Sequence, residues 1–493
     1  MKIIGKWAVI MIFLHHLQNI ICSLPYLFYI HMITYLFSLF LMVFLTSPKA
    51  AHVDTYEGYW EGAINVSNQE LGIRLTFTYT DGVMDGSIDI PQQQAFNLPV
   101  DVLTATPDSL VFQFQTGTGT AVFFADKIIN NERIEGRFEQ MGGEYPFYLE
   151  RKNFSNGMVT ELPEQELVIP TDVGEIGGSL VLTETPRPLI ILISGSGSQE
   201  RDENVAGFRV FEKLSNDLYR EGFATFRYDD RGVGQSAGNA DATLEELASD
   251  LTEIIGHLQT NFNGRFTNLI LAGHSQGGVV ASLAAQVSPV DGIIYLASPF
   301  FSGDEIINQQ IRVLSAANDI PERVVEQNLE FQKQIYDIVR NGLAWEEIEN
   351  NLAERLRFQI EQLPDKQREA LGNMDSFIQS QVRRQLASAK SRWFKSLVEM
   401  EPGSVVSELN IPQLAIFGEK DKQVVADLNF DKSLEIQSES DVMLQSIIIP
   451  DANHLFQKAE TGMPTEYGIL KREFTDGFIS AITSWLHSLD SDL

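Results

Sequence analysis

Three residues of this 493-residue chain have the types and the order that acyl transfer through a serine requires. Ser275 stands in Gly273-His274-Ser275-Gln276-Gly277-Gly278, after the apolar run Asn268-Leu269-Ile270-Leu271-Ala272 and before the helix-forming Val279-Val280-Ala281-Ser282-Leu283-Ala284-Ala285. Strand, tight turn and helix in that order are the setting in which G-x-S-x-G presents a nucleophile on a strained elbow. Gly273 and Gly277 matter because a serine held in such a turn needs neighbours without Cβ atoms where backbone segments approach. A glycine turn around an ordinary serine is the competing reading, and the order of the remaining parts decides against it.

A serine hydroxyl is a poor nucleophile at neutral pH and needs a base within reach and a third group to orient that base. Beyond the apolar N-terminus the histidines are His52, His257, His274, His454 and His487. His52 borders the N-terminal segment, His257 and His487 lie in amphipathic helical stretches, and His274 adjoins the serine, so its side chain is expected to leave the elbow in another direction. His454 remains, in Pro450-Asp451-Ala452-Asn453-His454-Leu455-Phe456 directly after the last apolar strand. The orienting acid is expected at Asp421, after the preceding strand; Asp451 competes locally but reads as an organiser of the histidine's own turn. Ser, Asp, His is then the chain order.

The tetrahedral oxyanion needs donors as well. One is expected from the backbone N–H of Gln276, where the unpaired amides and dipole of the elbow helix favour negative charge. The second is assigned to the amide of Ser196 in the small-residue loop Ser194-Gly195-Ser196-Gly197-Ser198.

The elements that must position these groups fall into two regimes. Residues 54–152 hold short alternating runs, at 72–79, 83–90, 109–115, 119–126, 132–139 and 145–150, separated by Asp-Gly and Gly-rich turns. They predict a small all-β domain, an antiparallel barrel or sandwich of lipocalin-like type. Trp60, Phe77, Phe112, Phe114, Phe123, Phe124 and Phe138 are its expected core, with a ligand cavity as the alternative use of the interior. A polar linker, Arg151 to Gly157, leads into strands alternating with helical patterns over 160–493, the signature of a mostly parallel sheet covered on both faces. A final helix is expected over about 470–487. Residues 303–400 interrupt the alternation with a Gln-, Glu- and Arg-rich helical insert, expected to act as a lid over the strand ends where ligands bind in open α/β sheets.

Composition narrows the classes further. The chain carries 36 basic and 67 acidic residues, a net charge of −31; Lys2, Lys6 and Lys49 fall in the first 51 residues, which hold no acid, so the remainder carries 33 basic against 67 acidic residues, net −34. Such a surface disfavours nucleic acid and anionic membranes. Cys22 is the single cysteine and lies in the apolar N-terminal stretch, which leaves the folded part without disulfides, thiolate metal sites or a cysteine nucleophile. No metal or cofactor is expected. Residues 1–51 read as an export signal, either cleaved, with Met32 as a candidate true start, or retained as a membrane anchor. That places the protein in the periplasm or outside the cell, or tethered to the membrane.

Five segments together resemble lidded bacterial α/β-hydrolases grouped with the serine-aminopeptidase-like hydrolases, whose characterised relatives are carboxylesterases. They are the elbow Gly273–Gly278, the loop Ser194-Gly195-Ser196-Gly197-Ser198-Gln199-Glu200-Arg201-Asp202, Tyr228-Asp229-Asp230-Arg231-Gly232-Val233-Gly234-Gln235-Ser236, the acid segment Gly418–Val425 and Asn453-His454-Leu455-Phe456-Gln457. The resemblance covers about 165–490 and implies Ser275, Asp421 and His454 as the triad. Ser198 departs from it, since relatives often carry proline there, and Arg201 with Asp202 matches a recurrent pair read as a structural ion pair. The expected activity is hydrolysis of small-molecule carboxylic esters of short to medium acyl chain; a peptidase or amidase with the same triad and a non-catalytic binding protein are the rivals, with a cofactor-free haloperoxidase or lyase more remote.

Overall fold

A computed structural model of the chain describes residues 56–151, apart from 67–68, 81–82, 91–94, 107–108, 117–118, 130–131 and 141–142, and residues 162–491, apart from 362–367 and 369–372. The export or anchor segment, with Cys22 and Met32, and linker residues 152–157 lie outside the described residues.

The first domain is a closed antiparallel barrel rather than a sandwich: β1 (Gly58–Val66), β2 (Gln69–Thr80), β3 (Val83–Ile90), β4 (Ala95–Thr106), β5 (Ser109–Thr116), β6 (Gly119–Ile129), β7 (Arg133–Gln140) and β8 (Gly143–Arg151) pair in sequence, and β8 closes on β1. The period-2 alternation drives this. On β5, Leu110, Phe112 and Phe114 are buried while Val111 and Gln113 between them are not. Phe112 stacks on Phe123 with ring centroids 4.6 Å apart, and Phe147 meets Phe123 edge-on at 5.0 Å. With Trp60 and Phe77 these rings fill the interior, each worth about 1.5–3 kcal/mol of burial. Phe124 is the exception to the expected core. Its position on β6 points outward, half-buried, with the Arg137 guanidinium 4.3 Å from its ring centroid.

The second domain is built on one eight-stranded sheet. In chain order its elements are β9 (Glu164–Thr171), β10 (Gly174–Val181), β11 (Arg187–Ile193), the small hairpin β12 (Asn204–Val205) and β13 (Phe208–Arg209), α1 (Val210–Arg220), β14 (Ala224–Tyr228), α2 (Leu244–Asn261), β15 (Phe266–His274), α3 (Gln276–Ala285) and β16 (Gly292–Leu296). The insert follows as α4 (Gly303–Ala317), α5 (Glu322–Asn341), α6 (Glu346–Glu361), α7 (Met374–Ala387) and α8 (Arg392–Glu399), and then α9 (Pro402–Glu408), β17 (Gln413–Gly418), α10 (Ala426–Glu439), β18 (Leu444–Ile449) and α11 (Phe478–Ser491). The sheet order is β18-β17-β16-β15-β11-β14-β10-β9, parallel from β18 to β14 and finished by the antiparallel β10 and β9. The protein thus has the α/β-hydrolase fold with a mostly parallel sheet, preceded by an eight-stranded barrel.

Central strands are apolar at successive positions because both faces are covered. Leu189, Ile191 and Ile193 pack toward α2 and α3 with Leu269 and Leu271, whereas Ile190 and Leu192 face α1 and α11 with Ile270, Phe211 and Trp485. The hairpin of β12 and β13 precedes α1, which begins at Val210. One expectation shifts. The last helix begins at Phe478, not near 470: Gln457 bridges Phe474, the Thr475 amide donates to the Phe456 carbonyl, and Gly477 has φ +92°, which halts a helix.

Residues 470–477 instead carry the barrel contact. Arg472 bonds the Tyr59 hydroxyl and lies 3.7 Å from Glu61. The insert has its own core around Ile307, Val325, Ile335 and Phe394, and several bonds tie it to the rest of the domain, among them Arg392 to Glu246 and the Leu244 amide to Ser396 Oγ. Trp393 Nε1 donates to Gln276 Oε1 at 2.6 Å, and Gln310 Nε2 donates to the Gln423 carbonyl at 3.0 Å.

Candidate active site

Parallel strands end at one edge, and here the ends lie close in register: Ile193 pairs with Gly273, His274 with Leu296 and Leu296 with Ile416, while β17 and β18 run slightly further, to the pair Gly418 and Ile449. Loops leaving β11, β15, β17 and β18 therefore meet above one stretch of sheet. They carry Ser196, Ser275, Asp421 and His454 respectively.

Ser275 caps α3 with φ 52° and ψ −121°, a conformation that L residues rarely adopt and that persists where the surroundings over-determine it. Its amide donates to the Leu296 carbonyl at 2.8 Å. Close approach makes the flanking glycines necessary. A Cβ on Gly277 would lie 2.1 Å from the Ile193 carbonyl oxygen, and one on Gly273 2.2 Å from the Gly277 carbonyl carbon.

Acid and base are joined directly: His454 Nδ1 donates to Asp421 Oδ2 at 2.7 Å, with both residues buried. The other oxygen, Oδ1, accepts from the amides of Gln423 at 2.7 Å and Val424 at 3.0 Å, so the carboxylate is fully partnered and fixed. That arrangement commits Nδ1 to the acid and leaves Nε2 as the nitrogen for a nucleophile. The base loop is held by buried Asn453, whose Oδ1 accepts from the amides of Leu455 and Gln457. Asp451 faces away, half-exposed and paired with Lys420 at 2.8 Å, while its own φ of 58° makes the turn.

The loop with Ser196 lies against the serine: a Cβ on Gly195 would sit 3.4 Å from Ser275 Cβ. Three contacts shape it. The Gly195 amide donates to Glu203 Oε1 at 2.7 Å, Ser194 Oγ to Asp230 Oδ1 at 3.0 Å, and the Gln199 amide to Asp230 Oδ2 at 2.9 Å. Gly195 N–H is thereby committed elsewhere, and Ser196 is the next amide along. Gln276 is the first residue of α3, where an amide has no partner inside its own helix. Burial, more than the nearby carboxylates Glu203 and Asp229, pushes Asp230 up to about 7 against the pull of its hydrogen bonds.

Glu203 escaped the sequence reading, and His274 entered it only as the neighbour of the serine. Glu203 and His274 are both buried, with Glu203 Oε1 2.7 Å from His274 Nδ1 and His274 Nε2 3.0 Å from the His454 carbonyl oxygen. His274 does not turn away from the base; the two imidazole rings lie 4.7 Å apart. Arg201 and Asp202 do not pair with each other. Arg201 binds Asp229 at 2.8 Å and Glu166 at 2.5 Å, whereas Asp202 meets Arg227 at 3.0 Å and pairs with Arg209. Among the described residues no three His, Cys, Asp or Glu side chains converge as a metal site. His257 is half-buried on α2 and His487 exposed on α11.

A strained serine elbow, a histidine bound to a buried aspartate and a parallel sheet with a helical insert before β17 are features of the α/β-hydrolase fold. Comparison with known proteins bears on the same region: residues 205–427 match the family described as serine aminopeptidase, S33, and the chain, with its α/β-hydrolase fold, has esterases among its relatives. It is 24% identical over 348 residues to the esterase EstD of Thermotoga maritima, covering 70% of each protein. Among solved structures it is similar to the esterase Pf2001 of Pyrococcus furiosus (13% identity, TM-score 0.40, 68% of this chain and 95% of that one). A thermophilic esterase of Thermogutta terrifontis gives 20% identity and a TM-score of 0.37, over 66% of this chain and 99% of that one.

Proposed function

We propose that the protein hydrolyses small-molecule carboxylic esters of short to medium acyl chain through an acyl-enzyme. Ser275 attacks the ester carbonyl while His454 Nε2 takes its proton; Asp421 keeps the imidazole in the required tautomer and stabilises the imidazolium that forms. The amides of Ser196 and Gln276 donate to the oxyanion as its charge develops. His454 then returns the proton to the departing alcohol, and water repeats the sequence on the acyl-enzyme to release the acid.

The observation that carries this reading is the 2.7 Å His454–Asp421 bond at the strand-end edge that also bears the strained Ser275. We further read residues 1–51 as the segment that exports or anchors the enzyme, a reading tested by fractionating cells that express the full chain.

The experiment for the activity is a panel of acyl esters, thioesters and aminoacyl-arylamides, run beside Ser275→Ala. Ester turnover should dominate and fall by about four to six orders of magnitude in the variant, and a fluorophosphonate should label Ser275 alone. Faster turnover of the arylamides would replace the esterase reading with the aminopeptidase one. Unlabelled Ser275 would favour a binding protein.

A further inference from the structure

The groups assigned to catalysis stand on loops that share no strand. Ser196 follows β11 and His454 follows β18, with β15, β16 and β17 between them in the sheet. Their separation must nevertheless be held closely, because a displacement of about 1 Å can cost a hundredfold in rate.

One pair of side chains spans the gap. Glu203 Oε1 accepts the Gly195 amide at 2.7 Å and also contacts His274 Nδ1 at 2.7 Å, and His274 Nε2 reaches the His454 carbonyl at 3.0 Å. Glu203 is 1% exposed and His274 3%. A carboxylate and a peptide carbonyl both accept, so a ring bonded to both donates from both nitrogens, which makes it an imidazolium. Burial alone would strip that proton, but Glu203's charge and hydrogen bond, with the His454 carbonyl and the more distant Asp421, outweigh burial and hold His274 above its ordinary range. Burying two charges is expensive, and a well-packed apolar pair of similar volume would serve stability as well or better. The ion pair therefore calls for a reason beyond packing.

We propose that Glu203 and His274 are positioning residues for ester hydrolysis: a buried carboxylate–imidazolium bridge that ties the oxyanion loop at Gly195 to the base loop at the His454 carbonyl. The inference rests on the catalytic roles given above to Ser196, Ser275 and His454. Losing the ring proton leaves one of the two bonds without a donor and frees one loop. Three titratable groups face His274, namely Glu203, Asp421 and His454, with Asp230 acting on it through Glu203.

The test compares kcat and KM from about pH 5 to about pH 10 for the full-length protein and its Glu203→Gln and His274→Gln variants, with thermal melts to establish folding. Glu203→Gln keeps an acceptor for Gly195 but removes the charge. Its kcat should fall roughly 10- to 100-fold with KM nearly unchanged, and its alkaline limb should move to lower pH. His274→Gln should lose as much and show no such limb. A filler pair would lower the melting temperature and leave the limb in place. Either variant, folded and with kcat within about twofold of the parent and an unmoved profile, overturns the bridge.

A second readout does not depend on turnover. Proton NMR of Ser275→Ala should show a downfield His274 Nδ1–H that disappears when Glu203→Gln is added, and its absence near neutral pH also overturns the proposal. Should Ser275→Ala retain turnover, the serine assignment fails while this resonance still decides the bridge.

Discussion

The barrel and the hydrolase sheet bury different things. Within the barrel, Asp89 is the charged residue among the buried described ones, and even it faces the other domain: a Cβ on Gly207 would lie 3.1 Å from its Oδ2. The hydrolase domain buries Glu203, Asp229, Asp230, His274, Asp421 and His454 around one set of strand ends. Charge removed from water costs free energy unless it is paired and hydrogen-bonded, and the barrel avoids that cost by filling itself with phenylalanine. A closed antiparallel barrel can spend every inward position on packing. An open parallel sheet leaves a crevice at its strand ends, and the costly residues collect there.

The contrast breaks most sharply at the acid. Asp421→Asn should lower kcat by about 10⁴, because the amide cannot hold the imidazole in the working tautomer, while Asp451→Asn should stay within about twofold. Steady-state kinetics on both variants checks this. A loss smaller than tenfold at Asp421 would mean that another carboxylate orients His454. In the barrel the expected losses are of stability rather than rate. Phe123→Ala removes a ring stacked on Phe112 and met edge-on by Phe147 and should cost about 3–5 kcal/mol. Phe124→Ala, one position along and facing out, should cost less than about 1 kcal/mol. Urea unfolding separates them, and equal costs would refute the inward and outward assignment. Neither should change kcat of the folded enzyme.

The same contrast explains what the sequence made legible. Barrel strands, the serine elbow and the order Ser275, Asp421, His454 rest on local patterns: a period of two, a strand–turn–helix, a loop after a strand. Phe124 was misplaced because two adjacent phenylalanines cannot both face inward on a strand, and composition does not say which does. Glu203 and His274 are 71 positions apart, and nothing near either announces the other. Their meeting depends on how the β11 loop folds back beneath β15, a tertiary fact. Arg201 and Asp202 suffered the reverse error: neighbours in sequence, they are drawn to partners on different strands.

Buried charge should also make stability depend on pH in the hydrolase domain, with a definite sign. Asp230 is raised to about 7, chiefly by burial, and Glu200 likewise to about 7, by burial and then by the charge of Asp202. Both folded values lie above those of the unfolded chain, so between the ordinary carboxyl range and about pH 7 the native state binds more protons than the unfolded one. Stability from these groups is therefore fully present at low pH, declines as pH rises through that window and levels off above it. For a group as buried as Asp230, the decline is up to about 4 kcal/mol. Asp230→Asn keeps an oxygen for Ser194 or Gln199 and cannot ionise, so its unfolding free energy should fall less between about pH 5 and about pH 8 than that of the parent. Denaturant unfolding at the two pH values measures the difference. An identical slope in parent and variant would show that the Asp230 carboxyl is not raised and is ionised throughout this range in both states, so that its burial does not set the pH dependence of the hydrolase domain.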